Sequence, residues 1–319
     1  MLFMEVEKMT NNMNKGLEIV VLTKIEGANL NSNGNEGVIS VLKKVRDPVD
    51  LKEYIRISGQ SVKYQLKEIL KSLNWELSPV ISRQESGEKV IVSTGDPKNY
   101  IDDDLFGYMI AKRENNRNIT KKRTAPVRTN GMISIFPYQE DRDFGVRYDP
   151  TGDQHNIYET EIATNIMRGN FFIELDRVGV FTSEEYDEDF QMSNEEREKR
   201  VKALLSAIQI YYGGAKLSRF FTKAYPEIMV LVFLNRKIPV IGDNLRFKQD
   251  YVDGKYILDT KLLKEVYETF SEYINKIYIG ILKEKFANLN DIESMQNEKI
   301  KVFSLKDLKD TIAKERIYY

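Results

Sequence analysis

Ile228 to Leu234 is an unbroken apolar run of seven residues, and no other segment sets narrower limits on the fold. A membrane-spanning helix needs roughly 20 apolar residues. The run is therefore a strand buried on both faces. Leu17 to Ile25 is similarly apolar and β-branched and predicts a second buried strand. A sheet carrying two such strands has to be covered by other elements.

Those covering elements are legible. Ser58 is a good N-cap for a helix over about 59–73. On that helix Val62, Leu66, Ile69, Leu70 and Leu73 form one apolar stripe. Lys63, Lys67 and Lys71 form a basic stripe on the opposite side. Ser193 and Glu196 make a capping box for a second helix over 194–212. Lys261 to Lys283 reads as a third, through Leu262, Val266, Phe270, Ile274, Ile277 and Ile281. The last thirty residues are highly charged and read as helical. Gly27 to Gly37 reads as a loop. Further strands are expected at 132–138 and 171–181.

Collected in order, the core is strand, helix, strand, strand, helix, strand. That is the α+β, ferredoxin-like (RRM-like) βαββαβ order, also used by RNA-recognition modules. The expected palm comprises 1–73, 132–138 and 170–319, including C-terminal helices. The connections 74–131 and 139–169 far exceed ordinary loops of about 4–6 residues. Long insertions on a compact core commonly carry function.

Composition removes several chemistries. There is no cysteine, hence no disulfide, thiolate metal site or cysteine nucleophile. The single histidine, His155, excludes two-His metal motifs. Walker A and G-x-G-x-x-G patterns are absent, so no cofactor is expected. Residues 1–14 carry Glu5 and Glu7 where a secretory signal needs an apolar stretch. The expectation is a soluble, cytoplasmic protein without a membrane partner.

The net charge of −1 is uninformative, but its distribution is not. Residues 111–128 hold seven bases, including Lys121, Lys122, Arg123 and Arg128, against Glu114. Residues 182–200 hold eight acids against three bases. The chain either carries two solvated loops or presents one basic and one acidic face. In the second case the acidic segment is a candidate docking face for a neighbouring copy.

The stretch Arg56-Ile57-Ser58-Gly59-Gln60-Ser61-Val62-Lys63 resembles a signature of the CRISPR Cascade backbone subunits. Asp104-Leu105-Phe106-Gly107-Tyr108-Met109, with Lys122-Arg123-Thr124-Ala125-Pro126-Val127-Arg128, resembles the DevR branch of that RAMP superfamily, found in type I-B systems. The helix leading into Gly213-Gly214-Ala215-Lys216 is similar to the same branch. Together these blocks cover most of residues 17–240.

The resemblance implies a non-catalytic subunit, several copies of which polymerise along a guide RNA. The partners it implies are the guide, target DNA through the guide, other copies of the chain and other Cascade subunits. It also implies a hand: a palm, fingers at about 74–131 and a thumb at about 139–169. A guide of variable sequence has to be gripped by its backbone. Residues of the right type are Arg56, Ser58, Gln60, Lys63 and Lys67, with Asn29 and Asn31 in the preceding loop. Gly213 and Gly214 allow close approach of the backbone, with Lys216 and Arg219 as counter-charges. The simpler role for Gly213-Gly214 is an ordinary helix C-cap. A thumb that displaces a base needs an apolar wedge. Phe144 and Tyr148 are candidates, with packing onto the core as the alternative.

Three other functions fit such a chain: a ribonuclease, a DNA-binding regulator and a scaffold that binds no nucleic acid, the last opposed by the basic stripe and the basic segment 111–128. Related type III subunits cleave RNA using an acidic residue after the first strand and a metal ion. Here Gly27 to Glu36 contains no Asp, and Asn is a poor substitute for a carboxylate. Asp102-Asp103-Asp104 reads as a solvated turn, and His155 as a surface residue. No catalytic or metal residue is therefore assigned. A DNA-binding regulator needs a recognition helix, and no helix-turn-helix spacing is present.

Overall fold

The computed structural model describes residues 13–85, 88–114, 117–148, 156–213, 216–248 and 251–318. β1 (Gly16–Ala28) is followed by hairpins of β2 (Ser32–Glu36) with β3 (Ile39–Leu42) and β4 (Lys44–Arg46) with β5 (Glu53–Ser58). α1 (Gly59–Ser72) continues directly from β5. Hairpins β6 (Ile81–Glu85) with β7 (Glu88–Val92), and β8 (Tyr108–Glu114) with β9 (Arg117–Arg123), flank the short α2 (Ile101–Phe106). β10 (Val127–Ser134), β11 (Asp141–Arg147) and β12 (Asn156–Glu174) follow. Beyond them lie a small ribbon, β13 (Val180–Phe181) with β14 (Phe190–Gln191), then α3 (Asn194–Gln209) and β15 (Ile228–Leu234). The chain closes with α4 (Thr260–Phe270), β16 (Ile274–Ile281), α5 (Leu289–Glu293), β17 (Ile300–Ser304) and α6 (Leu305–Lys314).

The main sheet runs β17-β16-β15-β1-β12-β10-β5-β4. Its central strands are antiparallel, with β1 between β12 and β15. Side chains alternate across a strand. Leu17, Ile19 and Val21 of β1 therefore join α1 and α3 in one core, while Val20 and Leu22 join α4 and β16 in a second. β15 divides its residues in the same way, which is why its run is apolar throughout. Both faces of the sheet are covered.

Several expected boundaries move. The helix placed over 261–283 ends at Phe270, and Ile274–Ile281 is a strand paired with β15. Ile274, Ile277 and Ile281 keep helical spacing, but Ile279 is buried as well, so the run is a strand covered on both sides. The strand expected at 171–181 is the end of the nineteen-residue β12. The 169/170 boundary between thumb and palm falls inside it. The strand expected at 132–138 begins at Val127. The 27–37 loop is largely the β2–β3 hairpin. The C-terminal stretch holds β17 as well as a helix. Among the described residues no helix is long and apolar enough to cross a membrane.

The 74–131 insertion is anchored by buried charge. Asp102, Asp103 and Asp104 are all buried, which corrects the reading of them as a solvated turn. Asp104 accepts from Arg123 at 2.6 Å and Arg200 at 2.8 Å, and from the Gly179 amide at 3.0 Å. Asp102 binds Lys67 at 2.9 Å and the Ser78 amide at 2.8 Å. Asp102 thus ties α2 to α1, Asp104 ties it to β9 and α3, and Asp103 accepts from the Asp96 amide at 2.9 Å.

Candidate nucleic-acid interface

The start of α1 is fixed from two sides. Ser58 Oγ accepts from the Ser61 amide at 3.3 Å, and the Ser58 amide donates to Asn31 Oδ1 at 2.9 Å. β10 bulges at Gly131, whose φ is +93° and whose position would bring a Cβ within 1.9 Å of the Ile57 carbonyl oxygen. Only glycine permits that approach. The first turn of α1 has no acidic residue. Its remaining amides and its dipole suit an anion. Gln60 is exposed and Lys63 half-buried beside this end. Burial, and then the charge of Lys67, hold the Lys63 ammonium below the usual lysine range. A phosphate at Lys63 would offset both effects.

α3 ends at Ile210, its C-cap, so Gly213 is not the cap. Gly213 has φ +149° and lies on α1, where a Cβ would come within 2.5 Å of Gln65 Cγ. From there the chain reaches the base of the β11–β12 ribbon. Lys216 Nζ and Arg219 lie 3.3 and 3.4 Å from the Thr160 hydroxyl. Burial, then Arg219, lower the Lys216 pKa. Arg219 pairs with Asp143 and lies 4.3 Å from the Tyr158 ring centre. Thr160, buried opposite Ser40 of β3, was not anticipated. Nothing in the sequence marks it apart from its place in a long strand.

β11 and β12 pair antiparallel as a ribbon extending from the palm strand. Phe144 is 59% exposed and Tyr148 71%, so neither is packed into the core. Val146 lies opposite Ile157, and both are exposed. By strand alternation Phe144, Val146 and Ile157 share one apolar face.

Other expected site residues have internal roles. Arg123 is 1% exposed and stays inside the fold. It donates to Asp104, Glu185 and the carbonyls of Val180 and Arg177. Lys121 donates to the carbonyls of Ser183 and Tyr186 at 2.6 and 3.0 Å. The basic and acidic segments thus meet inside one molecule. Glu185 faces inward to Arg123 and Arg177, which removes it from a docking face for a second copy. Asn29 is buried, donating to the Glu161 carbonyl and accepting from Ser32. Asn31 holds the Ser58 amide, and Lys67 holds Asp102. Arg128 is exposed but pairs with Glu174. Lys122 is exposed. Arg56 alternates with the buried Ile55 and Ile57, opposite Ile133, and so leaves the α1 side of the sheet. Gly214 and His155 lie outside the described residues.

The profile of the CRISPR-associated negative auto-regulator DevR/Csa2 family matches residues 19–256, well over half of the chain. The chain belongs to this family. No curated protein matches it. Among solved structures it is similar to a chain of a CRISPR RNA-guided surveillance complex, with TM-score 0.60 and 13% identity. The match covers 94% of this chain and 99% of that one. A chain of a pre-nicking CRISPR RNA-guided surveillance complex gives TM-score 0.59 at 12% identity, with the same coverage. At such identity the likeness is one of fold.

Proposed function

We propose that this chain is a non-catalytic backbone subunit of a type I-B Cascade complex. It binds guide RNA, lines up with other copies head to tail and presents the guide to target DNA beside other Cascade subunits. In this reading β15-β1-β12-β10, with α1 and α3, is the ferredoxin-like palm. The insertion between α1 and β10 is the fingers and the β11–β12 ribbon is the thumb. The observation that carries the proposal is the meeting of three features. They are the acid-free start of α1 with Gln60 and Lys63, Gly213 against α1 with Lys216 and Arg219 at Thr160, and the ribbon with its exposed apolar face. Backbone amides and the ammonium groups of Lys63 and Lys216 grip phosphates without reading sequence. The apolar face fills the gap left by a displaced base. The carboxylates of Asp102 and Asp104 are engaged by cations and backbone amides, which argues against their use as metal ligands in RNA cleavage.

The test is recovery of nucleic acid bound to the protein in its host, followed by sequencing. CRISPR repeat–spacer RNA, intact after incubation with magnesium, is the expected result. Cleavage of a complementary strand that survives repurification would overturn the non-catalytic reading, and recovery of duplex DNA alone would favour a regulator.

A further inference from the structure

The sheet face opposite α1 and α3 borders a cleft of about 650 Å³ that the proposed guide-binding surface does not use. Tyr54 and Ile133 form one wall, and Arg246 and Phe247, from the segment after β15, form the other. Arg168 rises into it from β12. Its Nη1 donates to the Asp243 carbonyl at 3.0 Å, while its Nε is buried and has no partner among the described residues. A buried guanidinium N–H without an acceptor is costly. Burial lowers the Arg168 pKa, Asp243 raises it and Arg246 lowers it further, so a second cation is close. Arg246 directs Nε and Nη2 to Asp259, each at 3.3 Å. An oxyanion between the two guanidiniums would answer the unmet donor and separate the like charges.

Three carboxylates, those of Asp47, Asp243 and Asp259, border the same cleft. A polyphosphate chain would bring successive charges against them. A peptide carries its charge only at a side chain. The sheet also ends at β4, whose Val45 and Arg46 line the cleft, so an extended peptide has a strand edge beside it. We propose that this cleft binds an acidic, extended segment of a partner protein, one of whose carboxylates sits between Arg168 and Arg246.

The test uses the full chain, with an end-capped extended peptide holding one central glutamate, inorganic phosphate and decathymidylate as probes, followed by calorimetry and by the NMR resonance of Arg168 Nε–Hε. The peptide is expected to shift that resonance, and Arg168→Gln to weaken its binding at least about tenfold, as for removal of one side of a buried charge pair. Arg246→Gln, on an exposed side chain, is expected to weaken it too, which separates the effect from misfolding of the first variant. RNA binding at α1 should stay unchanged in both, so this proposal can fail while the guide-binding reading stands. Three results would overturn it: decathymidylate displacing the peptide, phosphate binding as tightly as the peptide, or no shift with any probe.

Discussion

Replacing Asp104 by Asn is the sharpest test of how the fingers are held. The change keeps side-chain volume, so no cavity term enters. It removes the one carboxylate shared by Arg123 at 2.6 Å and Arg200 at 2.8 Å. All three side chains are at most 3% exposed, so water cannot replace the lost charge. Breaking a buried pair from one side costs about 3–5 kcal/mol. Arg123 keeps Glu185 at 2.9 Å, while Arg200 keeps the Pro97 and Lys98 carbonyls at 2.7 and 2.8 Å and, as its one remaining carboxylate, Glu196 at 3.7 Å. The expected loss is therefore about 3–4 kcal/mol, the lower part of that range. Trp75, the only tryptophan, is partly buried against the α1–α3 core where the fingers begin, so its fluorescence through a urea titration reports the change. Adding Arg200→Gln should restore part of the loss, because it removes the stranded guanidinium. A loss below about 1 kcal/mol in the single variant would refute the argument, since that is the range of exposed pairs.

Asp103 has its pKa raised, chiefly by burial, and one of its oxygens has no partner among the described residues. Its folded pKa lies above its unfolded one, so its contribution is full below the ordinary value of 3.8 and is lost as pH rises through the folded value. Asp103→Asn should therefore be at least as stable as wild type at neutral pH and should remove that fall, as followed by urea titrations at several pH values. Lys63→Gln should weaken single-stranded RNA binding and reduce its salt slope by about 0.7, one phosphate contact, as read by fluorescence anisotropy. Phe144→Ala should leave the urea midpoint within about 0.5 kcal/mol, since the ring is exposed, but weaken RNA binding by assembled subunits. Glu18→Ala should cost about 2–4 kcal/mol in the same unfolding assay. Its buried carboxylate accepts the amides of Val240, Ile241 and Gly242, and the loss strands three donors.

The legible parts of the fold were those coded locally. A seven-residue apolar run, a serine cap and a helical stripe each determine an element from neighbours in sequence, and β15 and α1 follow from them. What escaped was set by distant partners. Ile274–Ile281 satisfies helical spacing and strand burial equally, and only pairing with β15 decides. Asp102 to Asp104 look solvated until Lys67, Arg123 and Arg200 close over them. The basic and acidic segments looked like two faces because sequence carries no information on which charges meet.

That cancellation changes what the candidate interface can do. Of the expected cations, Lys67, Lys121, Arg123, Arg128 and Arg219 have anionic or carbonyl partners within the chain. Lys63 and Lys216 are left to face a guide beside the α1 amides, with Lys122 exposed on the fingers. Two or three phosphate contacts give a salt slope of only about −1.4 to −2.1 on a single strand. One subunit should then hold RNA weakly, and tight binding has to come from linkage of copies, where each added subunit binds at the effective concentration set by its neighbour. The α1 surface thus predicts a steep rise in affinity with RNA length, in steps of one subunit footprint. A single isolated chain binding a short RNA as tightly as a long one would contradict both the count of available cations and the assembly built on it.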